Sequence, residues 1–189
     1  MTTVVLLAAG RSRRFGAACK LQAVYRNKPL VRHAADAILQ TGLPAVAVVS
    51  DPAVARLLPE FKIVYSSGLQ SDSLRVGLHQ VAEGPALVVL ADMPHVDAGL
   101  LHQIAASPAP AATTDRTRIC PPALIPHAIF PDLEKLTGDR GAGNLLRSLP
   151  GLHRVVVSED MVKDVDVPQD ILEYQEDRLN QDLPTPPRT

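Results

Sequence analysis

Leu6-Leu7-Ala8-Ala9-Gly10-Arg11-Ser12-Arg13-Arg14-Phe15-Gly16-Ala17-Ala18-Cys19-Lys20 decides how this chain is read. It follows an apolar run from Val4 to Leu7, short enough to be one buried strand. The composition then flips to small residues, Gly10 and Gly16, and to cations at Arg11, Arg13, Arg14 and Lys20. A loop of this make-up suits a polyphosphate: small side chains let backbone N–H groups approach, and the cations neutralise charge. The same residues would also make a solvated βα loop with arginines facing water. Position favours the phosphate, because the loop leaves the carboxyl end of a first strand, where open α/β sheets bind ligands. Two familiar loops are excluded. A Walker loop needs Gly-Lys-Ser/Thr, but Ala17 follows Gly16 and Leu21 follows Lys20. The dinucleotide fingerprint needs three spaced glycines, and only Gly10 and Gly16 are present.

Outward from this loop, strand and helix patterns alternate. Pro29 opens a helix carrying Leu30, His33, Ala34, Ala37, Ile38 and Thr41, which Gly42 ends. Ala45–Val49 reads as a strand, Ser50-Asp51-Pro52 as the start of a short helix, and Ile63–Tyr65 as a third strand. Ser71-Asp72-Ser73 can cap a helix whose inner face is Leu74, Leu78 and Val81. Ala86–Leu90 is the most apolar strand and is expected at the centre, and Asp97 caps the helix after it. Beyond Ser107 the pattern weakens. Residues 113–126 read as a short strand and a loop, 126–136 and 141–149 as helices, and 155–157 and 162–165 as short strands. Pro168 begins a last helix to about Asn180. The alternation predicts an α/β, doubly wound, mostly parallel sheet in one domain, residues 1–181, whose second half forms a small β/helical substrate wall. Residues 182–189, with three prolines, are expected to be a disordered tail.

Composition narrows the function. With 189 residues the chain has enough length for one full core, and 46% hydrophobic content marks it as globular. A net charge of −1 provides no broad basic field for nucleic acid, and 3% aromatics no stacking platform. Nothing approaches a membrane span, and the start lacks a signal pattern. Cys19 and Cys120 have neither metal-ligand spacing nor a disulfide framework, which fits a reducing cytoplasm.

Four further segments carry candidate chemistry. Leu90-Ala91-Asp92-Met93-Pro94 ends the apolar strand at the same sheet edge as Gly10. Asp92 there suits a magnesium ion, which takes one or two carboxylates with phosphate oxygens and waters, or it simply turns the chain before Pro94. Asp164 and Asp166 alternate along an expected strand, so both would point to one face. Ser71, Ser73 and nearby N–H groups could bond a base edge or phosphate, or only cap a helix. Gly77 inside that helix lowers its propensity and signals a close approach. In Thr137-Gly138-Asp139-Arg140-Gly141-Ala142, Arg140 is available for a phosphate within what is otherwise a Gly-rich turn. The six histidines form no ligand cluster; His95 alone is near the expected site, and a surface role is expected for it.

Residues 7–20 read Leu-Ala-Ala-Gly-x-Ser-x-Arg-x-Gly-x-x-x-Lys, which resembles the signature of the MobA-like nucleotidyltransferases. The resemblance covers residues 4 to about 175, with four motif blocks in order. It implies a Rossmann-like nucleotidyltransferase fold in which Leu7, Ala8, Ala9, Gly10, Arg11, Ser12 and Gly16 wrap a nucleoside triphosphate held by Arg14 and Lys20. It carries the metal-binding roles onto Asp92 and Asp166, with Asp164 as competitor, and catalytic roles onto Arg14, Lys20 and Asp92. It implies that the segment with Ser71, Ser73, Arg75 and Gly77 closes over base and sugar, and that Pro122, Asp139, Arg140 and Gly141 face the acceptor. Two departures stand out. Val167 replaces a threonine cap, and Cys120 stands where the family shows Gly-x-Pro.

The chain is most similar to the CTP:molybdopterin cytidylyltransferases, because Ala9 occupies the position where guanylyl-transferring relatives usually carry glycine. The expected reaction is magnesium-dependent transfer of CMP from CTP to the terminal phosphate of molybdopterin, releasing pyrophosphate. A client molybdenum enzyme is an implied partner. The alternatives are a GTP-dependent guanylyltransferase, transfer to a sugar phosphate or isoprenoid precursor, and a non-catalytic delivery chaperone. A dinucleotide-dependent oxidoreductase is disfavoured by the missing fingerprint.

Overall fold

The computed structural model describes residues 1–10, 15, 19–66, 69–134 and 143–172. Its centre is a seven-stranded sheet. The strands are β1 (Thr3–Ala8), β4 (Ala45–Val49), β5 (Lys62–Tyr65), β6 (Ala86–Leu90), β7 (Ala111–Thr114), β8 (Ile119–Ile125) and β9 (His153–Val156). A separate hairpin pairs β2 (Val24–Tyr25) with β3 (Lys28–Pro29). The sheet order is β5-β4-β1-β6-β8-β7-β9. Strand β8 runs antiparallel to both its neighbours, and every other pairing is parallel. This is the expected doubly wound, mostly parallel sheet.

The order places a switch point between β1 and β6. From β1 the chain crosses outward to β4 and β5, then returns to β6 on the other side of β1. Crossovers that diverge from two adjacent parallel strands leave a crevice at their carboxyl ends. Here those ends are Ala8-Ala9-Gly10 and Leu90-Ala91-Asp92, tied together by the Ala91 N–H donating to Leu7 O at 3.1 Å.

Alternation along β1 explains why both faces are covered. Val4, Leu6 and Ala8 face one core with α1 (Leu30–Gln40), α2 (Pro52–Ala55) and α4 (Ala98–Ala105). Val5 and Ala9 face the other, with α3 (Gln70–Leu78), α5 (Phe130–Glu134) and α6 (Gly143–Ser148). Strands buried on both sides read as continuous apolar runs, as β1, β4 and β6 do. Among the described residues, no helix is long and apolar enough to cross a membrane.

Several local expectations need correction. Pro29 ends β3 and caps α1 from outside. The β2–β3 hairpin turns through Arg26 and Asn27, with φ of 45° and 70°, a primed turn without the Asn-Gly signal that usually announces it. Ser71 and Ser73 lie within the first turn of α3; Leu69 is the N-cap, and its N–H donates to Asp72 Oδ2. Residues 119–125 are a full strand despite Pro121 and Pro122. The two prolines fall where the β7–β8 register slips, between the Ala112–Ala123 and Thr113–Cys120 pairs, so no ladder N–H is demanded of them.

Residues 162–165 are not a strand. Asp160–Val162 is a short 3-10 helix, and 163–166 have no regular secondary structure and no sheet partner. Val162 and Val165 are both buried three residues apart, a spacing that strand alternation does not give. Helical conformation resumes at Pro168 and is described to 172; the expected course to Asn180 and the 182–189 tail lie outside the described residues.

Candidate active site

Lys20 opens a 3-10 turn, Lys20–Gln22, just below the carboxyl end of β1. Leu21 is buried in the α1-side core and anchors that turn. The Lys20 side chain is only 11% exposed. Its ammonium donates to Asp92 Oδ2 at 2.7 Å, to Val165 O at 2.9 Å and to Asp166 Oδ1 at 3.2 Å. Three acceptors match the three protons of an ammonium. The Val165 N–H in turn donates to Asp92 O at 2.9 Å, so one buried residue braces both members of the ion pair.

Asp166 is held from its other side. Asp170 Oδ2 accepts from the Asp166 N–H at 2.7 Å and from the Val167 N–H at 2.9 Å. This is half of a capping box: the third helical residue reaches back to the N-cap, and it does so although Val167 offers no side-chain cap.

The electrostatics follow from this packing. Burial works against a charge on Lys20, but Asp92 and Asp166 outweigh it and raise the ammonium's pKa. Burial also pushes the Asp92 carboxyl above its ordinary range, against the opposing pull of Lys20. The cluster is an ammonium between two carboxylates at the sheet's switch point, and it carries one excess negative charge. Past the carboxyl end of β1, a Cβ placed on Gly10 would meet nothing within 4 Å.

The structure brings Lys20, Asp92 and Asp166 together. Asp166, not Asp164, accepts from Lys20, although Asp164 is near enough to act on Asp92 electrostatically. Among the described residues no group of three His, Cys, Asp or Glu side chains is arranged to hold a metal ion. The donor set at Asp92 and Asp166 is nonetheless all oxygen, which fits a hard divalent cation that completes its shell with phosphate and water. Arg11, Ser12, Arg14, Gly16, Asp139, Arg140 and Gly141 lie outside the described residues.

The α3 segment is tied into its surroundings by its own contacts. Ser73 Oγ is engaged by Ser66 Oγ and Leu69 O, both at 3.3 Å. Arg75 pairs with Asp72 at 2.9 Å on the surface. The close approach of Gly77 is to the sheet: an added Cβ would lie 2.4 Å from Val5 Cγ1 and 3.0 Å from Val48 Cγ2. Packing therefore accounts for this glycine without a nucleotide. Pro122 is buried in β8, whereas Pro121 lines a cavity beside α3.

His95 is half-buried and engaged rather than free at the surface. Its Nε2 lies 3.0 Å from Tyr25 Oη, and the Tyr25 ring packs edge-on against both His95 and His33. His33 Nε2 donates to Tyr25 O at 2.7 Å. Burial raises the tyrosine's pKa and lowers both imidazoles', so the neutral forms are favoured. Tyr25 follows Lys20 by one short turn and His95 follows Asp92 by three residues, so this contact ties the two segments of the site together. Sequence reasoning missed Tyr25 and Val165, and placed Asp170 near the helix start without its bonds to the Asp166 and Val167 N–H groups. The buried spacing of Val162 and Val165 was the signal available for the second of these.

Residues 4–155 match the family model of the MobA-like NTP transferase domain. No curated protein matches the chain. The crystal structure of Rv0371c from Mycobacterium tuberculosis H37Rv is 27% identical with a TM-score of 0.81, over 93% of this chain and 97% of that one. The structure of Rv0371C from the same organism in complex with manganese is 25% identical with a TM-score of 0.78, over 93% and 98%. Molybdopterin-guanine dinucleotide biosynthesis protein A from Archaeoglobus fulgidus shares the fold at 19% identity, with a TM-score of 0.72 over 94% and 99%. The chain belongs to the MobA-like NTP transferase family and is a nucleotidyltransferase of that kind.

Proposed function

We propose that this member of the MobA-like family transfers CMP from CTP to the terminal phosphate of molybdopterin, releasing pyrophosphate. The observation that carries the reading is the convergence of Lys20, Asp92 and Asp166 beside the open carboxyl end of β1. CTP rather than GTP is favoured by Ala9, which is buried at the strand end where guanylyl-transferring relatives usually carry glycine.

An acceptor phosphate oxygen attacks the α-phosphorus, and the bond to the leaving pyrophosphate breaks in line. The acceptor is already anionic, so no side-chain base is needed; positioning and charge neutralisation carry the catalysis. Asp92 and Asp166 would hold a magnesium ion, which supplies charge neutralisation along the triphosphate when bound. Lys20, released from its carboxylates, would turn to the phosphates, joined by Arg14. Ala8, Ala9 and Gly10 would offer backbone to the nucleotide. The segments with Ser12, Gly16 and Arg140 would complete the phosphate and acceptor contacts. An enzyme of this kind would act in the cytoplasm and pass its product to a molybdenum enzyme.

The test is pyrophosphate release by the full chain with Mg²⁺ and molybdopterin, using CTP and GTP in parallel. Turnover with CTP is the expected result. Turnover with GTP alone would make the protein a guanylyltransferase. Turnover only with a different phosphate acceptor would overturn the acceptor, and none with any acceptor would leave a delivery role.

A further inference from the structure

Strand β8 runs antiparallel to β6, so the start of β8 lies beside the carboxyl end of β6. The register pairs Val88 with Ala123, and Leu90 and Pro121, two residues further along each strand, line one cavity together. The same count carries Asp92 to the level of Ile119. The turn that joins β7 to β8, residues 115–118, therefore projects past the sheet edge on the β8 side of Asp92.

That turn is built around one carboxylate. The Asp115 side chain is 4% exposed, and its Oδ1 accepts from the Thr117 hydroxyl at 2.6 Å and from the Thr117 and Arg118 N–H groups, both at 2.9 Å. Its Oδ2 accepts from Arg118 Nε at 3.1 Å. These bonds, the Thr117 hydroxyl's first, hold the Asp115 carboxyl well below the usual carboxylate range. The clamp grips the Arg118 guanidinium by one edge. The guanidinium has no other hydrogen bond or ion pair among the described residues, so its two terminal nitrogens are left without a protein partner. Ordering an arginine costs rotamer entropy that an exposed ion pair barely offsets, so stability alone does not explain the clamp. Where it holds the fork does. The hydrogen bond from Asp115 outweighs burial in favouring the charged guanidinium, and Asp164 adds to it. Asp164 also acts electrostatically on Asp92, so Arg118 and Asp92 are both within range of one carboxylate.

We propose that Arg118 binds the phosphate monoester of the acceptor. The two terminal nitrogens of a guanidinium match two phosphate oxygens, and the fork is already oriented. The sheet order supports this assignment: β8 lies on the far side of β6 from β1, whose loop faces the nucleotide. An anionic acceptor approaching Asp92, Asp164 and Asp166 is repelled, and Arg118 supplies the opposite charge on that side. The acceptor assignment rests on the proposed transfer; the anion site rests on the turn alone. A phosphate of the nucleotide has the same chemistry, and the experiment separates the two sources.

The test compares the full-length wild type with Arg118→Gln and Arg118→Lys. In pyrophosphate release with CTP and Mg²⁺, Arg118→Gln is expected to raise the KM for molybdopterin roughly tenfold or more while kcat and the KM for CTP stay within about twofold. Arg118→Lys should recover part of that loss, and it stands in if the glutamine variant does not fold. Asp115→Asn, which loosens the clamp, should raise the same KM by a smaller factor. A rise in the KM for CTP instead would overturn the acceptor assignment, and unchanged constants would overturn the site. A ³¹P NMR titration with inorganic phosphate needs no turnover, and Arg118→Gln should weaken binding roughly tenfold there as well. Equal phosphate binding by the wild type and Arg118→Gln, or none by either, would overturn the anion site. Arg118-dependent phosphate binding in a protein that binds no CTP would sink the proposed transfer and leave the anion site standing.

Discussion

Lys20 Nζ donates to Asp92 Oδ2 at 2.7 Å across 72 residues of chain, joining the loop that leaves β1 to the loop that leaves β6. Those strands are neighbours only because the crossovers diverge there, so the ion pair marks the switch point itself. It also marks the place where one cation and two carboxylates, those of Asp92 and Asp166, meet.

The pair is shielded enough for its halves to depend on each other, with side chains 11% and 21% exposed. Lys20→Met leaves Asp92 without its countercharge and is expected to cost roughly 1–3 kcal/mol. Adding Asp92→Asn should recover part of that loss, because the stranded charge is then gone. Urea denaturation of the two single variants and the double variant checks this; strictly additive losses would count against the coupling.

Asp170 restrains the backbone at Asp166 and Val167. Asp170→Ala removes both bonds, and a stability loss of about 1 kcal/mol is expected, together with weaker binding of Mn²⁺ in the presence of CTP. Calorimetric titration of the variant measures the second effect. Unchanged metal affinity would mean that the capping bonds serve only the helix.

Gly77 is where helix α3 touches the sheet. In an open helix, Gly→Ala gains about 1 kcal/mol. Here the new methyl would meet Val5 and Val48 at 2.4 and 3.0 Å. Overpacking of about 1–3 kcal/mol should win, so Gly77→Ala is expected to lower the melting temperature. A rise would show that α3 lifts from the sheet freely.

Partial burial around Tyr25 lowers the pKa of both His33 and His95 below the ordinary imidazole value of about 6.5. A folded-state pKa below the unfolded one gives stability that is full above pH 6.5 and is lost as pH falls through the folded values. The urea midpoint should therefore drop on going from pH 7.5 to pH 5. The fall should be shallower in the His33→Gln/His95→Gln double variant. An equal slope in the two proteins would place the acid sensitivity elsewhere.

The parallel half of the fold was legible because its signals are local. Ala45–Val49 and Ala86–Leu90 are unbroken apolar runs, and Asp97 caps its helix through the Leu100 N–H as its position suggests. The antiparallel half was not, because β8 carries its prolines in a register slip that only the pairing with β7 reveals. The site divided in the same way. Asp92 and Lys20 stand at element ends, where pattern and chemistry agree. The placement of Asp166 depends on Val165 being buried and bonded to Asp92, a long-range fact that no local pattern carries.

The central claim is that Lys20, Asp92 and Asp166 share one nucleotide and one divalent ion. Diffraction from crystals grown with CTP and Mn²⁺, recorded at the manganese edge, tests it most directly. One anomalous peak within coordination distance of carboxylate oxygens of Asp92 and Asp166, with Lys20 Nζ turned onto the triphosphate, is the predicted result. A bound nucleotide whose manganese lies away from both aspartates, with Lys20 still paired to Asp92, would contradict it.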